Sequence, residues 1–321
     1  MISGKRNLNK SYILESGVNK LWKLIRGVII IGICFIILYP VIIRLFNSFM
    51  AQRDFVDPAV RYISRHTSFG QIIFNYRVVW EALDYPVSLS YTFVYSLVVS
   101  ILQLISCTLV GYGLGRFEFK GVNIVFGLVI IALLIPPQLI MVPIFLNFRF
   151  FNVFGLFGEE GLNLMGSYWP ILLMSLTANG LKNGLFIYIM RQYFKGMPQS
   201  LEEAAYVDGA GVLKTFTKVM LPAAGPVLLV VFLFAFVWQW NDLFYTEMLL
   251  PGDVELLPMI IQGLNRWSFD FTGHIYTDPT PSYYNSLINL ALLFHILPLL
   301  FLYGFLQRYF IESIQRTGIV G

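Results

Sequence analysis

Six apolar runs, each about as long as a membrane is thick, alternate with polar segments along the chain. A helix needs roughly 20 predominantly apolar residues to cross a bilayer core of about 30 Å. Backbone groups inside lipid must bond within their own segment, so each run predicts a helix. The fourth run is the weakest, because Asn179, Lys182 and Asn183 interrupt it. The predicted spans are about Gly27–Phe46, Ser88–Leu114, Val122–Phe145, Tyr168–Tyr188, Pro226–Leu243 and Asn285–Leu306.

The distribution of lysine and arginine predicts the orientation of these spans. With the N-terminus inside, 14 of the 22 basic residues lie in inside segments, seven lie in outside segments, and Lys182 lies within the fourth run. Basic loops mark the cytoplasmic side, and an even number of spans brings both termini there. The predicted outside loops are about Asn47–Val87, Leu146–Ser167 and Phe244–Tyr284, and the inside loops are Gly115–Gly121 and Arg191–Ala224.

The predicted fold is therefore all-α and integral to the membrane, with six transmembrane helices and cytoplasmic N- and C-termini. We expect three parts: a cytoplasmic N-terminal tail (residues 1–26), a transmembrane domain (residues 27–306) and a cytoplasmic C-terminal tail (residues 307–321). Pro136 and Pro137 interrupt the helical hydrogen bonding of the third run. They are compatible with either a static kink or a hinge.

Composition excludes most other classes of protein. Hydrophobic residues make up 57% of the chain and charged residues 12%, about half the roughly 25% charge of a soluble domain. A net charge of +4 is too small to indicate nucleic-acid binding. Cys34 and Cys107 lie in apolar runs, and His66, His274 and His295 are far apart. The sequence thus predicts neither a metal site nor a disulfide framework.

The long inside loop is the most informative segment. Residues 197–222 predict a helix that starts near Pro198, ends at Gly209, and is followed by a second amphipathic helix that Pro222 stops. Glu202 and Glu203 lie in the first turn, where a helix favours anions. The loop could simply pack on the underside of the bundle, or it could bind a cytoplasmic partner.

These residues also carry a resemblance. The segment EAAYVDGA, with Phe216 and Leu221–Pro222, resembles the EAA loop of ABC-importer permeases. GYGLGRFEFKG, FVWQWNDLF and the C-terminal QRYFIESIQRTGIVG resemble other segments of the carbohydrate, maltose-permease-like group. The tail departs from that group at Glu312, Gln315 and Arg316, and the first outside loop is somewhat long. The resemblance covers about Gly27 to Gly321 and implies the type I ABC-importer permease fold.

The resemblance implies a function and a set of partners. The chain would be the permease subunit of a binding-protein-dependent carbohydrate importer of a bacterial inner membrane, forming half of the pathway with a second homologous permease. Two cytoplasmic ATPase subunits would hold ATP and Mg²⁺, and an extracytoplasmic solute-binding protein would deliver the sugar. The sequence has no G-x-x-x-x-G-K-[ST] loop of its own, so no cofactor and no enzymatic activity are expected in this chain. The residues implied to couple it to the ATPase are Glu202, Glu203, Ala204, Ala205, Asp208, Gly209, Ala210, Phe216 and Pro222.

Polar side chains at membrane depth are the candidates for the substrate pathway. Tryptophan faces bind sugar C–H groups, and Asn and Asp side chains bond to hydroxyls. The same residues could instead join helices or anchor them at the membrane surface. The candidates are Gln239, Trp240, Asn241, Asp242 and Asn289.

Three alternative functions remain open at this level. An ABC permease for a non-sugar solute would share every feature of the EAA loop. An ion-coupled secondary transporter would require paired intramembrane acids and internal repeats, and Asp242 is the one clear acid near a span. A membrane enzyme would require a nucleophile with its base, or a metal motif, and no such group is evident in the sequence.

Overall fold

The computed structural model describes residues 3–55, 57, 60, 64–250, 254–266 and 281–317. This part of the chain is helical, with a short antiparallel bridge between Phe151 and Leu162. Short 3₁₀ turns lie at Gln52–Phe55 and Pro137–Ile140, and a π-helical turn at Phe216–Met220. The helices are α1 Ser3–Ser48, α2 Phe69–Ala82, α3 Tyr85–Arg116, α4 Val122–Leu134, α5 Met141–Arg149, α6 Trp169–Leu176, α7 Asn183–Gly196, α8 Ser200–Val207, α9 Val212–Thr215, α10 Leu221–Ala223, α11 Gly225–Trp240, α12 Phe244–Leu249, α13 Leu257–Arg266 and α14 Pro281–Thr317.

Three helices of the described chain are long and apolar enough to cross a membrane: Asn19–Ser48 of α1, Tyr85–Arg116 and Tyr283–Arg308 of α14. They correspond to the first, second and sixth predicted spans. Two bent pairs bring the number to as many as five, so the six-span count and the cytoplasmic termini stay predictions. The proposed boundaries at residues 26 and 306 fall inside continuous helices, and the division into tails and membrane domain also stays a prediction.

The third predicted span is sharply broken. Val122–Leu134 and Pro137–Arg149 meet at 101°. Ile135 and Pro136, each followed by proline, have extended backbone (ψ 121° and 133°), because a proline ring excludes the helical conformation from the residue before it. A bend of this size makes the segment a broken span or a re-entrant loop.

The fourth predicted run is two helices rather than one. α6 ends at Leu176 and α7 begins at Asn183. Between them Ala178 and Lys182 adopt positive φ (57° and 61°), a conformation that ends a right-handed helix. The expectation of one continuous helix over Tyr168–Tyr188 is therefore wrong, and the break falls at the polar residues that weakened the run.

The fifth predicted span begins with a bend of 77° between Val212–Ala223 and Gly225–Trp240. Pro222 was expected to stop the preceding helix, but it lies inside the last turn, and the helix ends one residue later. The π-helical turn before it accounts for the difference: the Leu221 N–H bonds to the Phe216 carbonyl five residues earlier, which widens the helix where proline contributes no N–H.

The chain divides into two compact units. The larger comprises Glu81–Phe269 with His295–Gly321, and its core forms where α3, α7 and α11 pack. Gly111 permits the closest approach: a Cβ there would lie 2.5 Å from the Met190 Cβ. Small residues at such a crossing are typical of helix packing in membranes.

The smaller unit comprises Met1–Trp80 with Asp270–Phe294. Within it, the Tyr283 hydroxyl bonds to the Asn75 side chain (2.6 Å), and the Asn75 amide donates to the Met50 carbonyl (3.1 Å). Asp54 is buried beside Ser64, His66 and Thr67. Burial raises the pKa of Asp54. The hydrogen bonds donated by those residues have the larger effect, so the pKa lies well below its ordinary value. Asp54 is therefore a structural carboxylate of the predicted first outside loop.

Candidate functional site

Residues 197–222, called the coupling loop below, fold as a helix, a glycine turn and a second helix. α8 ends where Gly209 adopts φ 77°. The Gly209 N–H donates to the Tyr206 carbonyl (3.0 Å), and the Ala210 N–H donates to the Ala205 carbonyl (2.9 Å). These two bonds form a Schellman motif, which requires a left-handed residue at its turn. Gly209 thus fixes the direction in which the second helix leaves the first.

Glu202 anchors the first turn of α8 to the end of α3. Its carboxylate accepts hydrogen bonds from the Arg116 guanidinium (2.9 Å) and the Tyr112 hydroxyl (3.0 Å). Arg116 also donates to the carbonyls of Met197 (3.0 Å) and Pro198 (3.4 Å). The side chains of Arg116 and Glu202 are only 6% and 14% exposed. Because little water reaches this pair, losing either partner leaves a poorly compensated charge.

An aromatic cluster secures the second helix of the coupling loop. Phe216 is buried, and its ring centroid lies 4.6 Å from that of Tyr112. Tyr112 also packs edge-on against Phe194 (5.2 Å) and Phe117 (5.5 Å). Tyr112 therefore contacts both halves of the loop, binding Glu202 through its hydroxyl and Phe216 through its ring.

The opposite surface of the coupling loop is open. Val207 is 88% exposed and Leu213 is 75% exposed, and Glu203, Ala204 and Asp208 are exposed beside them. Apolar side chains left this accessible, next to acids and a small residue, are typical of an interaction surface. Of the other residues implied to couple, Ala205 is buried, Ala210 is half-buried, and Gly209 and Pro222 are exposed. The role of this set in coupling stays a prediction.

Four of the candidate pathway residues lie together at the end of α11. The Gln239 amide donates to the Tyr95 hydroxyl (3.0 Å). The Trp240 indole is fully buried and donates to the His295 carbonyl (3.2 Å). Trp240 joins helices in this conformation and presents no open face, so a sugar could stack on it only after a rearrangement.

Asn241 and Asp242 differ in accessibility. Asp242 is buried, and its carboxylate accepts from the Thr246 N–H (3.0 Å) and the Thr246 hydroxyl (2.8 Å) in the first turn of α12. Asn241 is exposed, and its side-chain oxygen lies 3.2 Å from His295 Nε2. The fifth candidate, Asn289, is half-buried on α14 in the smaller unit. All five remain predicted pathway residues.

A second polar cluster surrounds the break between α6 and α7. The Ser106 hydroxyl donates to the Ser175 carbonyl (2.6 Å), and the Gln103 amide donates to the Leu181 carbonyl (3.3 Å). The bond from Gln103 gives the Leu181 carbonyl a partner at the break, whereas the Ser175 carbonyl also accepts from the Ala178 N–H (3.3 Å). A cavity of about 10 Å³, lined in part by Ser175 and Gln239, has room for about one water molecule. The polar interior thus extends from the break to the end of α11.

Lys182 lies at the same break and is exposed. Its ammonium group lies 5.9 Å from the ring centroid of half-buried Trp238, within cation–π range. It forms no ion pair with any acid whose side chain the structure describes. Such a cation within a predicted span is a candidate for the pathway or for a partner surface.

Two important contacts are not evident from the sequence. Arg116 is one of the charges of the predicted inside loop Gly115–Gly121, and Tyr112 lies within the second predicted span. Both lie on one face of α3, four residues apart, and this spacing could have indicated a shared partner. Nothing in the sequence showed that the partner is Glu202, about 90 residues later. Among the described residues no group of His, Cys, Asp or Glu could hold a metal ion, and His274 lies outside them.

Comparison with known families gives a match over residues 107–316, to the family described as binding-protein-dependent transport system inner membrane component. One relative, the arabinooligosaccharides transport system permease protein AraQ of Halalkalibacterium halodurans, is 27% identical over 90% of this chain and 93% of its own. The multiple sugar-binding transport system permease protein MsmG of Streptococcus mutans is 24% identical, over 95% and 99% of the two chains.

Two further similarities were found. The osmoprotective compounds uptake permease protein GgtD of Synechocystis sp. is 31% identical over 68% of this chain and 65% of its own. A solved bacterial ABC transporter, described as involved in the import of the acidic polysaccharide alginate, includes a chain with the same fold. The two chains superpose with a TM-score of 0.71 and are 22% identical in sequence, and the match covers 91% of this chain and 97% of that chain.

Proposed function

The chain belongs to the family of binding-protein-dependent transport system inner membrane components, and we propose that it is the permease subunit of a carbohydrate importer. The family match confirms the resemblance inferred from the EAA segment. It makes the chain a multi-pass inner-membrane transport protein that is not itself an enzyme. A separate ATPase supplies the energy and a binding protein delivers the solute.

The observation that carries the choice of substrate is the pair of relatives named for oligosaccharides and multiple sugars, each of which matches over at least 90% of this chain. An oligosaccharide is therefore the proposed substrate. A permease for a non-sugar solute is the second candidate, because the relative named for osmoprotective compounds is 31% identical.

We propose that the open surface of the coupling loop is where the ATPase binds. Exposed Ala204 and Val207 provide a close-packing apolar contact, and exposed Glu203 provides a charge. Glu202 is already engaged by Arg116, so a displacement of α8 is passed directly to α3. α3 in turn packs along α7 and α11. The ion pair thus connects ATPase motion to the helices that carry the polar cluster.

The remaining partners follow from the same proposal. A second homologous permease completes the pathway, and two ATPase subunits bind ATP and Mg²⁺, while this chain binds no cofactor. The large exposed apolar side chains of α4, which has no buried residue, supply surface for lipid or for that permease. Within this chain, Asn241, Asn289 and Lys182 are the accessible polar groups proposed to contact sugar hydroxyls or the partner permease.

Substitution of Ala204 by tryptophan tests this proposal. Ala204 is exposed, so the isolated chain should fold and keep its melting temperature. The added ring blocks the proposed contact, and we expect at least about tenfold less ATPase to copurify with the permease. Leu156→Trp is the matched control: it places the same ring at a 76% exposed position of a predicted outside loop. Equal ATPase retention by wild type and Ala204→Trp would show that the ATPase binds elsewhere.

A further inference from the structure

A cavity of about 650 Å³ opens between the loop at residues 115–121 and the ends of α7 and α8. Four basic residues line it: Arg116, Lys120, Arg191 and Lys195. Its two acids are Glu118 and Glu202, and Glu202 is already paired with Arg116. Three cations and one acid therefore remain without an ion-pair partner among the residues described. The cavity is consequently a site of excess positive charge.

Arg191 is the strongest feature of this cavity. It is only 6% exposed, although charged groups are rarely buried without a counter-charge. Its Nε donates to the Leu114 carbonyl (3.2 Å), and its guanidinium lies 3.7 Å from the Phe126 ring centroid. Its terminal nitrogens donate to no other group that the structure describes. A guanidinium packed over an aromatic ring, with free donors at a cavity, is suited to bind an anion.

The surroundings indicate that this anion is attached to something apolar. Phe117 and Phe119 are 43% and 46% exposed at the cavity. α4 begins directly beside it and presents Ile124 and Leu128, which are 72% and 59% exposed. The cavity also lies on the same side as the coupling loop, which contributes Gln199 and Glu202. A basic cavity with an apolar helix face beside it, at the cytoplasmic surface, matches a headgroup site with its acyl chains along α4.

We propose that this cavity binds the phosphate group of an anionic membrane phospholipid. Arg191 would bind two phosphate oxygens, Lys120 and Lys195 would add charge at the rim, and α4 would contact the acyl chains. This assignment goes beyond transport. A headgroup there would lie next to the Arg116–Glu202 ion pair and would join α7 to the loop that follows α3.

Native mass spectrometry of the purified permease complex tests the proposal, with phosphatidylglycerol and phosphatidylcholine as separate probes. We expect one phosphatidylglycerol to be retained in preference to phosphatidylcholine. Lys120→Gln with Lys195→Gln should weaken phosphatidylglycerol retention about 25-fold, because each basic residue near an anionic headgroup contributes about fivefold. Both lysines are exposed, so the double variant should fold, and an unchanged melting temperature verifies this.

Lys20→Gln with Lys23→Gln is the matched control. It removes the same charge from exposed positions of α1 outside the cavity and outside the coupling loop, and retention should be unchanged. Equal retention of both lipids, or equal losses from the two double variants, would overturn the proposal. Millimolar inorganic phosphate separates the two sources of phosphate: full displacement of phosphatidylglycerol by it would identify a site for free phosphate instead of lipid.

Discussion

Replacing Gly111 by alanine should destabilise the folded chain by about 3 kcal/mol, at the upper end of the usual cost of overpacking. A Cβ at this position would lie 2.5 Å from the Met190 Cβ and 3.0 Å from the Arg191 backbone nitrogen. Neither of these atoms is at the end of a flexible side chain, so α3 and α7 would have to separate. These two helices form the most extensive contact in the described chain, and a lower melting temperature and lower yield of folded protein would measure the loss.

Gly113→Ala is the control for this prediction. It lies on the same helix, and a Cβ there would meet nothing within 4 Å. Alanine also lowers the backbone entropy lost in forming a helix, so Gly113→Ala should be neutral or stabilising by up to about 1 kcal/mol. Similar melting temperatures for the two variants would mean that α3 and α7 do not pack as the structure shows.

Glu202→Gln is expected to have the second largest effect, about 2 kcal/mol of lost stability. The amide keeps the size of the side chain but leaves Arg116 without its counter-charge in a nearly buried position. Arg116 would keep its bonds to the carbonyls of Met197 and Pro198, but the amide oxygen would accept only an uncharged hydrogen bond in place of the ion pair. Thermal unfolding of Glu202→Gln, of Arg116→Gln and of the double variant should give a coupling energy of at least about 1 kcal/mol.

Glu203→Gln makes the same chemical change one residue later. Glu203 is exposed, so stability should change by less than about 0.5 kcal/mol, while transport-coupled ATP hydrolysis should fall. If Glu203→Gln destabilises the isolated chain as much as Glu202→Gln does, then the two acids do not divide their roles as the structure indicates.

Much of the helical architecture was predictable from the sequence, because lipid imposes a simple length rule. The spans in α1, α3 and α14 could be predicted with that rule alone. The prediction of a single helix for the fourth run was wrong because hydropathy is averaged over a segment, whereas the break at Ala178 and Lys182 depends on individual φ angles. The size of the 101° bend after α4 could not be predicted either, since two prolines indicate a break but not its angle.

In the candidate site, likewise, features that depend on neighbouring residues were predictable, and features that depend on residues far apart in the chain were not. The glycine turn of the coupling loop was predictable because a Schellman motif involves neighbouring residues. Glu202 and Glu203 could not be distinguished, because the position of Arg116 depends on how α3 packs. For the same reason Trp240, which resembles a sugar platform in sequence, is buried against the chain segment containing His295. The excess charge around Arg191 also became visible only in three dimensions.

Reconstituted uptake is the most direct test of the central claim, which is that this chain moves its solute with energy from a separate ATPase. Proteoliposomes that contain this chain and its partner permease would be supplied with labelled oligosaccharide, binding protein and ATP, with and without the ATPase. We expect uptake only when ATPase, ATP and binding protein are all present. Uptake at the same rate without the ATPase, driven by an imposed ion gradient, would contradict it and would identify a secondary transporter.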